Sequence, residues 1–123
     1  MSFLPTALII EDDAVYQDLY ADVLRRSHWS SVVAADLREV RSLLEQRTYD
    51  AYIIDLRIPG AFAGEAVQLV LSHDPDARSK SVIVTGFGIV AKAFASGIPI
   101  VDKASMSDIA GFLGKLSEGH LKP

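Results

Sequence analysis

Four apolar runs in this 123-residue chain end directly in side chains that can do chemistry. Ala7 to Ile10 is followed by Glu11-Asp12-Asp13, Ala51 to Ile54 by Asp55, Ser81 to Val84 by Thr85, and Ile98 to Val101 by Asp102-Lys103. Acidic groups at the ends of buried strands are costly unless something neutralises them. Two carboxylates about 4 Å apart repel by about 4 kcal/mol at an effective dielectric of about 20. If Asp12, Asp13 and Asp55 converge, they raise one another's pKa or bind a cation. An all-oxygen set suits Mg2+, which takes one or two carboxylates and keeps several waters. Lys103 adds one positive charge, so three carboxylates, one divalent cation and one ammonium balance. A carboxylate in such a site can act as a nucleophile towards phosphorus and form an acyl phosphate. Phosphoryl transfer asks mainly for positioning and neutralised charge, and Thr85 can offer a hydroxyl to a phosphoryl oxygen.

The elements that must position these groups follow from apolar periodicity. Strand-like segments at Ala7 to Ile10, Ser31 to Ala34, Ala51 to Ile54, Ser81 to Val84 and Ile98 to Val101 are rich in Ile and Val with little alternation, the pattern of strands buried on both faces. Helical patterns lie between them. Val15, Leu19 and Val23, with Tyr16, Tyr20 and Leu24 beside them, recur at i, i+4 along a first helix. Asp36 and Glu39 have capping-box spacing ahead of a stripe of Leu37, Val40, Leu43 and Leu44. A third helix runs from about Glu65 to Ser72, and Ser105 with Asp108 can cap a last one carrying Ile109, Phe112, Leu113 and Leu116. Between Val84 and Ile98 only a short helix at Val90 to Ser96 is expected. Alternating strands and helices predict an α/β fold, an open five-stranded parallel sheet with right-handed crossovers and helices on both faces. A closed barrel would need about 250 residues. Ligands of such sheets bind at the carboxyl ends of the strands, where the strand order reverses.

Composition narrows the function. With 12 Lys plus Arg against 16 Asp plus Glu the net charge is −4, and no basic run suits nucleic acid. No apolar stretch is long enough for a membrane span, the N-terminus lacks the basic region of a signal peptide, and a cytoplasmic location is expected. The absence of cysteine excludes disulfides, thiolate metal sites and cysteine nucleophiles. The length suits one domain, residues 1–123, with no separate output domain expected.

Simpler roles exist for each residue. Asp12 and Asp13 suit capping of the first helix, a role compatible with metal binding. Thr85 is at home in any strand, and Lys103 can be a surface residue before the last helix. Asp55 resists such a reading, because a carboxylate after Ile53-Ile54 is seldom buried without a partner. Gly86 to Ala91 spells G-x-G-x-x-A, yet it follows the fourth strand with no strong helix behind it, so a loop is the better reading than a dinucleotide site. His28, His73 and His120 lie near helix ends without metal-ligand spacing, and Trp29 reads as a packing residue.

Taken together, the acidic pair Asp12-Asp13, the run Asp55-Leu56-Arg57-Ile58-Pro59, Thr85-Gly86 and Lys103 resemble a response-regulator receiver domain over essentially the whole chain. The resemblance implies a flavodoxin-like sheet of order 2-1-3-4-5. It implies Asp55 as phosphoacceptor, Mg2+ held by Asp12, Asp13, Asp55 and the Arg57 backbone carbonyl, and Thr85 and Lys103 contacting the phosphoryl group. It implies a sensor histidine kinase or histidine phosphotransfer protein as donor and a downstream protein as receiver of the signal. Receivers usually carry Tyr or Phe where Ile100 stands and Pro where Ala104 stands. Thr85-Gly86-Phe87-Gly88 with Pro99 is similar to a single-domain alphaproteobacterial subgroup whose signature is Phe-Ala-Thr-Gly-aromatic-Gly, although Ile83 and Val84 replace its Phe and Ala. Phe87 or Phe94 are candidates to stand in for the missing aromatic. Two other readings compete: a pseudo-receiver that binds partners without phosphate, and a small phosphatase with an Asp nucleophile. The latter lacks the usual Asp-x-Asp pairing, since Leu56-Arg57 follows Asp55.

Overall fold

The computed structural model describes residues 3–86 and 97–121. Five strands, β1 (Thr6–Ile10), β2 (Ser30–Ala34), β3 (Ala51–Asp55), β4 (Ser81–Thr85) and β5 (Ile100–Asp102), form one parallel sheet of order β2-β1-β3-β4-β5. Among the described residues four helices, α1 (Ala14–Arg26), α2 (Leu37–Gln46), α3 (Glu65–His73) and α4 (Met106–Leu121), cover it, and a 3-10 turn at Ala77–Lys80 leads into β4. The flavodoxin-like order expected from the resemblance is the one observed.

Alternation along each strand divides the core in two. Leu8, Ile10, Tyr52, Ile54 and Ile83 point to one side, where they meet Leu37, Val40 and Leu44 of α2 and Val67 and Val70 of α3. Ala7, Ile9, Ile53, Val82 and Val84 point to the other and pack on Tyr20 and Leu24 of α1 and Ile109 and Leu113 of α4. Every residue of β3 and β4 is buried, which is why these strands read as continuous apolar runs rather than alternating ones.

Two details differ from the sequence reading. The fifth strand begins at Ile100, not Ile98, and reaches Asp102. Pro99 has no N–H to give a ladder, so the pairing there is carried by its carbonyl, which accepts from the Ile83 N–H at 2.9 Å. On α1 the sheet-facing stripe is Tyr16, Tyr20 and Leu24, with Val23 beside it, whereas Val15 and Leu19 are 65% and 42% exposed. The short helix expected at Val90 to Ser96, together with Phe87 and Phe94, lies outside the described residues. Trp29 packs as expected, 3% exposed.

Candidate functional site

The sheet's register places the acidic groups. Ile10 of β1 pairs with Ile54 of β3, so the next residues, Glu11 and Asp55, stand level on adjacent strands. The Glu11 N–H extends the ladder to the Ala34 carbonyl at 3.0 Å. Strand alternation then turns both side chains towards the α1 and α4 layer. β1 and β3 are the two neighbours between which the strand order reverses, the place where sheets of this kind bind ligands. On the far side Thr85 pairs with Asp102, and its carbonyl accepts from the Lys103 N–H at 3.1 Å.

Lys103 is the hub. Its ammonium lies 2.9 Å from Asp55 Oδ2, 2.9 Å from Glu11 Oε1 and 3.1 Å from Glu11 Oε2. Asp55 is almost buried, and its Oδ1 accepts from the Arg57 N–H at 3.2 Å. Glu11 is wholly buried; its Oε2 also accepts from the Asp13 N–H at 3.0 Å. Burial pushes the Glu11 carboxyl up to about 7, against the opposing pull of the Asp13 N–H and Lys103 and with a further upward push from Asp55. Burial alone would lower Lys103, but hydrogen bonds to Glu11 and Asp55 outweigh it and hold the ammonium above the usual lysine range.

The trio of carboxylates differs from the expected one by a single residue. Glu11, Asp12 and Asp55 each place an oxygen within 4.8 Å of the others. Asp13 stands outside this group. It occupies the N-cap of α1, where its Oδ1 accepts from the Val15 N–H at 2.9 Å. Its carboxylate is thus engaged with the helix end, as the capping alternative anticipated. Glu11 takes the place expected of Asp13. The signal that finds it is parity: the first residue beyond β1, level with Asp55, lies on the same face, and the residue two further along is already taken up in capping the helix. Thr85 is buried at the end of β4, and Arg57 is exposed with its main chain tied to Asp55. Glu11, Asp12, Asp55, Arg57, Thr85 and Lys103 all come from the carboxyl-end loops or last residues of β1, β3, β4 and β5.

This donor set fits Mg2+. Glu11 Oε1 is buried and, although the ammonium is 2.9 Å away, it has no hydrogen-bond donor in line, so a lone pair is left unfilled. Three ionised carboxylates and one ammonium leave two negative charges, the complement of a divalent cation. Exposed Asp12 keeps the site open on one side, as a hydrated hard cation requires.

No family model matches the chain. The photosynthetic apparatus regulatory protein RegA of Rhodobacter capsulatus is 25% identical over 89 residues, covering 72% of this chain and 47% of its own. The chain thus spans about half the length of the curated relative it matches. The receiver domain of a sensor histidine kinase from Pseudomonas aeruginosa, solved with magnesium coordinated in its active-site cleft, superposes with a TM-score of 0.78 at 19% identity, over 93% of this chain and 98% of that one. A response regulator from Burkholderia pseudomallei, solved with a phosphorylated aspartic acid, calcium and citrate, superposes with a TM-score of 0.73 at 20% identity, over 94% and 71%. Further receiver domains align as well. The fold is that of CheY-like response-regulator receiver domains.

Proposed function

We propose that Asp55 accepts a phosphoryl group, in a Mg2+-dependent reaction, from a histidine kinase or a histidine phosphotransfer protein, and that the protein signals by changed affinity for another protein. The observation that carries this reading is the ammonium of Lys103 lying 2.9 Å from Asp55 beside an oxygen cluster within 4.8 Å. A buried strand-end carboxylate with a charged partner and two neighbouring acids is what phosphoryl chemistry requires and what a structural role does not.

Glu11, Asp12, Asp55 and the Arg57 carbonyl would hold the cation, which neutralises charge developing on the transferred group. The chain's own groups do the rest. An Asp55 carboxylate oxygen bonds to phosphorus as the P–N bond to the donor histidine breaks, and the imidazole nitrogen keeps the electron pair and takes up a proton. The arriving dianion needs donors: Lys103 turns its ammonium from the Asp55 carboxylate to a phosphoryl oxygen, and the Thr85 hydroxyl donates to another. The tie between the Thr85 carbonyl and the Lys103 N–H keeps these two residues in step.

Labelling with radioactive acetyl phosphate and Mg2+, or with a kinase, tests this. The wild type takes up label, and Asp55→Asn takes up none. Label retained on Asp55→Asn overturns the assignment.

A further inference from the structure

We infer that Tyr16 of α1 is a positioning residue for Lys103: its ring face holds the ammonium in the site when a divalent cation competes for the same carboxylates. This rests on the phosphoryl-accepting reading and adds a residue to it. An ammonium has three N–H groups. Glu11 and Asp55 take two directions, and the third side of Lys103 meets Tyr16, with Nζ 4.7 Å from the ring centroid.

The arrangement matters because Glu11 and Asp55 serve both cations. A divalent ion drawn to these oxygens repels the ammonium, and a flexible lysine side chain that is already 22% exposed has water as its alternative. The ring face attracts the ammonium without competing for a carboxylate oxygen. It therefore keeps Lys103 beside Asp55 when the phosphoryl group arrives. The root of the lysine is fixed as well. The buried Tyr20 hydroxyl donates to the Lys103 carbonyl at 2.7 Å, while the Lys103 N–H donates to Thr85. Tyr20 also braces the Tyr16 ring, their centroids 5.9 Å apart one helical turn along α1. The contact through which Tyr16 acts is the one with Lys103, so its influence passes through the lysine.

The test uses beryllofluoride, a phosphoryl mimic, with Mg2+, titrated into the wild type, Tyr16→Leu, Tyr16→Met and Tyr16→Phe. Met fills the ring's volume without its aromatic face and keeps the comparison available if Leu packs badly. Beryllofluoride affinity is expected to fall about five- to tenfold in Tyr16→Leu and Tyr16→Met and to stay within about twofold in Tyr16→Phe, the scale of one partly desolvated ammonium–ring contact. Affinity for Mg2+ alone is not weakened in any of the three variants, because the carboxylates are intact and a looser ammonium repels the ion less. The Lys103 ε-methylene protons carry an upfield ring-current shift in the wild type and Tyr16→Phe and lose it in the other two. Wild-type affinity in Tyr16→Leu and Tyr16→Met, or an equal loss in Tyr16→Phe, overturns this role alone. A wild type that takes up no beryllofluoride overturns the reading of the site and this role with it.

Discussion

Glu11→Gln and Asp13→Asn separate the acidic trio seen in the structure from the one suggested by sequence. Each removes a single negative charge and keeps the side chain's shape. Glu11 lies in a cluster whose oxygens are within 4.8 Å of one another, so a cation held there is about that far from its carboxylate at most. A divalent and a unit charge about 4.8 Å apart attract by about 2 kcal/mol even at the dielectric of water, and by more in the buried surroundings of Glu11. At about 1.4 kcal/mol for each factor of ten, Glu11→Gln weakens Mg2+ binding by about thirtyfold or more. Asp13 is exposed and faces the end of α1, where Asn caps as well as Asp. Its more distant, salt-screened charge leaves the Asp13→Asn affinity within about threefold of the wild type. Isothermal calorimetry about one pH unit above neutrality, where Glu11 is mostly ionised, and at moderate salt reads both. A large loss in Asp13→Asn with little change in Glu11→Gln would refute the register argument and return the site to Asp12, Asp13 and Asp55.

Two further outcomes concern stability. Asp74, buried at the end of α3, accepts from the Tyr52 hydroxyl at 2.7 Å, the Lys80 ammonium at 3.0 Å and the Asp76 N–H at 3.0 Å. Burial alone would raise its pKa, but these donors outweigh it and hold it below the ordinary value of 3.8. A lowered native pKa means the stabilisation is present above the unfolded value and lost as pH falls through the native one. Asp74→Asn should therefore unfold at lower urea at pH 7, by about 1–3 kcal/mol, with the gap closing as pH falls from the ordinary carboxylate value through the lowered native one; a gap independent of pH would contradict this. His28 is exposed and adopts φ 64° just after α1, a left-handed backbone disfavoured for a residue with a Cβ. His28→Gly should stabilise the fold by about 0.5–1 kcal/mol in a thermal melt, and a lower melting temperature would argue that the side chain does more than the backbone suggests.

What the sequence could disclose followed from how many constraints each residue meets locally. β1, β3 and β4 are buried on both faces, so unbroken Ile and Val runs marked them, and the chemistry-bearing residues stood out as the polar groups that end those runs. The Asp36 cap of α2 was equally local: its Oδ1 accepts from the Glu39 N–H at 2.8 Å, while Glu39 Oε1 accepts from the Ala35 N–H at 2.8 Å. Identifying Glu11 required knowing that Ile10 pairs with Ile54, a fact about two strands some forty residues apart. The same holds on α1, where Val15-Leu19 and Tyr16-Tyr20 form adjacent stripes of equal spacing. In the folded chain the tyrosines turn inward and Val15 and Leu19 outward, which the spacing alone does not decide. The Lys103 contacts with Glu11, Asp55 and Tyr16 are longer-range still, and nothing in the neighbourhood of residue 103 signals them.

The departures at positions 100 and 104 bear on this geometry in a specific way. Ile100 is half-buried and packs against the core on the α2 and α3 side, whereas Lys103 and its carboxylates lie towards α1 and α4. Ala104 is exposed, and its N–H is satisfied by the Asp102 carboxylate at 2.8 Å, so the turn after β5 closes without a proline. Neither substitution removes a group from the acid–ammonium cluster. The cluster's integrity and the identity of residue 100 are therefore separable properties of the fold. A hydrocarbon at 100 offers no hydroxyl or ring, but it leaves intact the main-chain bond from the Lys103 N–H to the Thr85 carbonyl. The connection from Lys103 to the end of β4 therefore runs through backbone that every side-chain choice at position 100 would share.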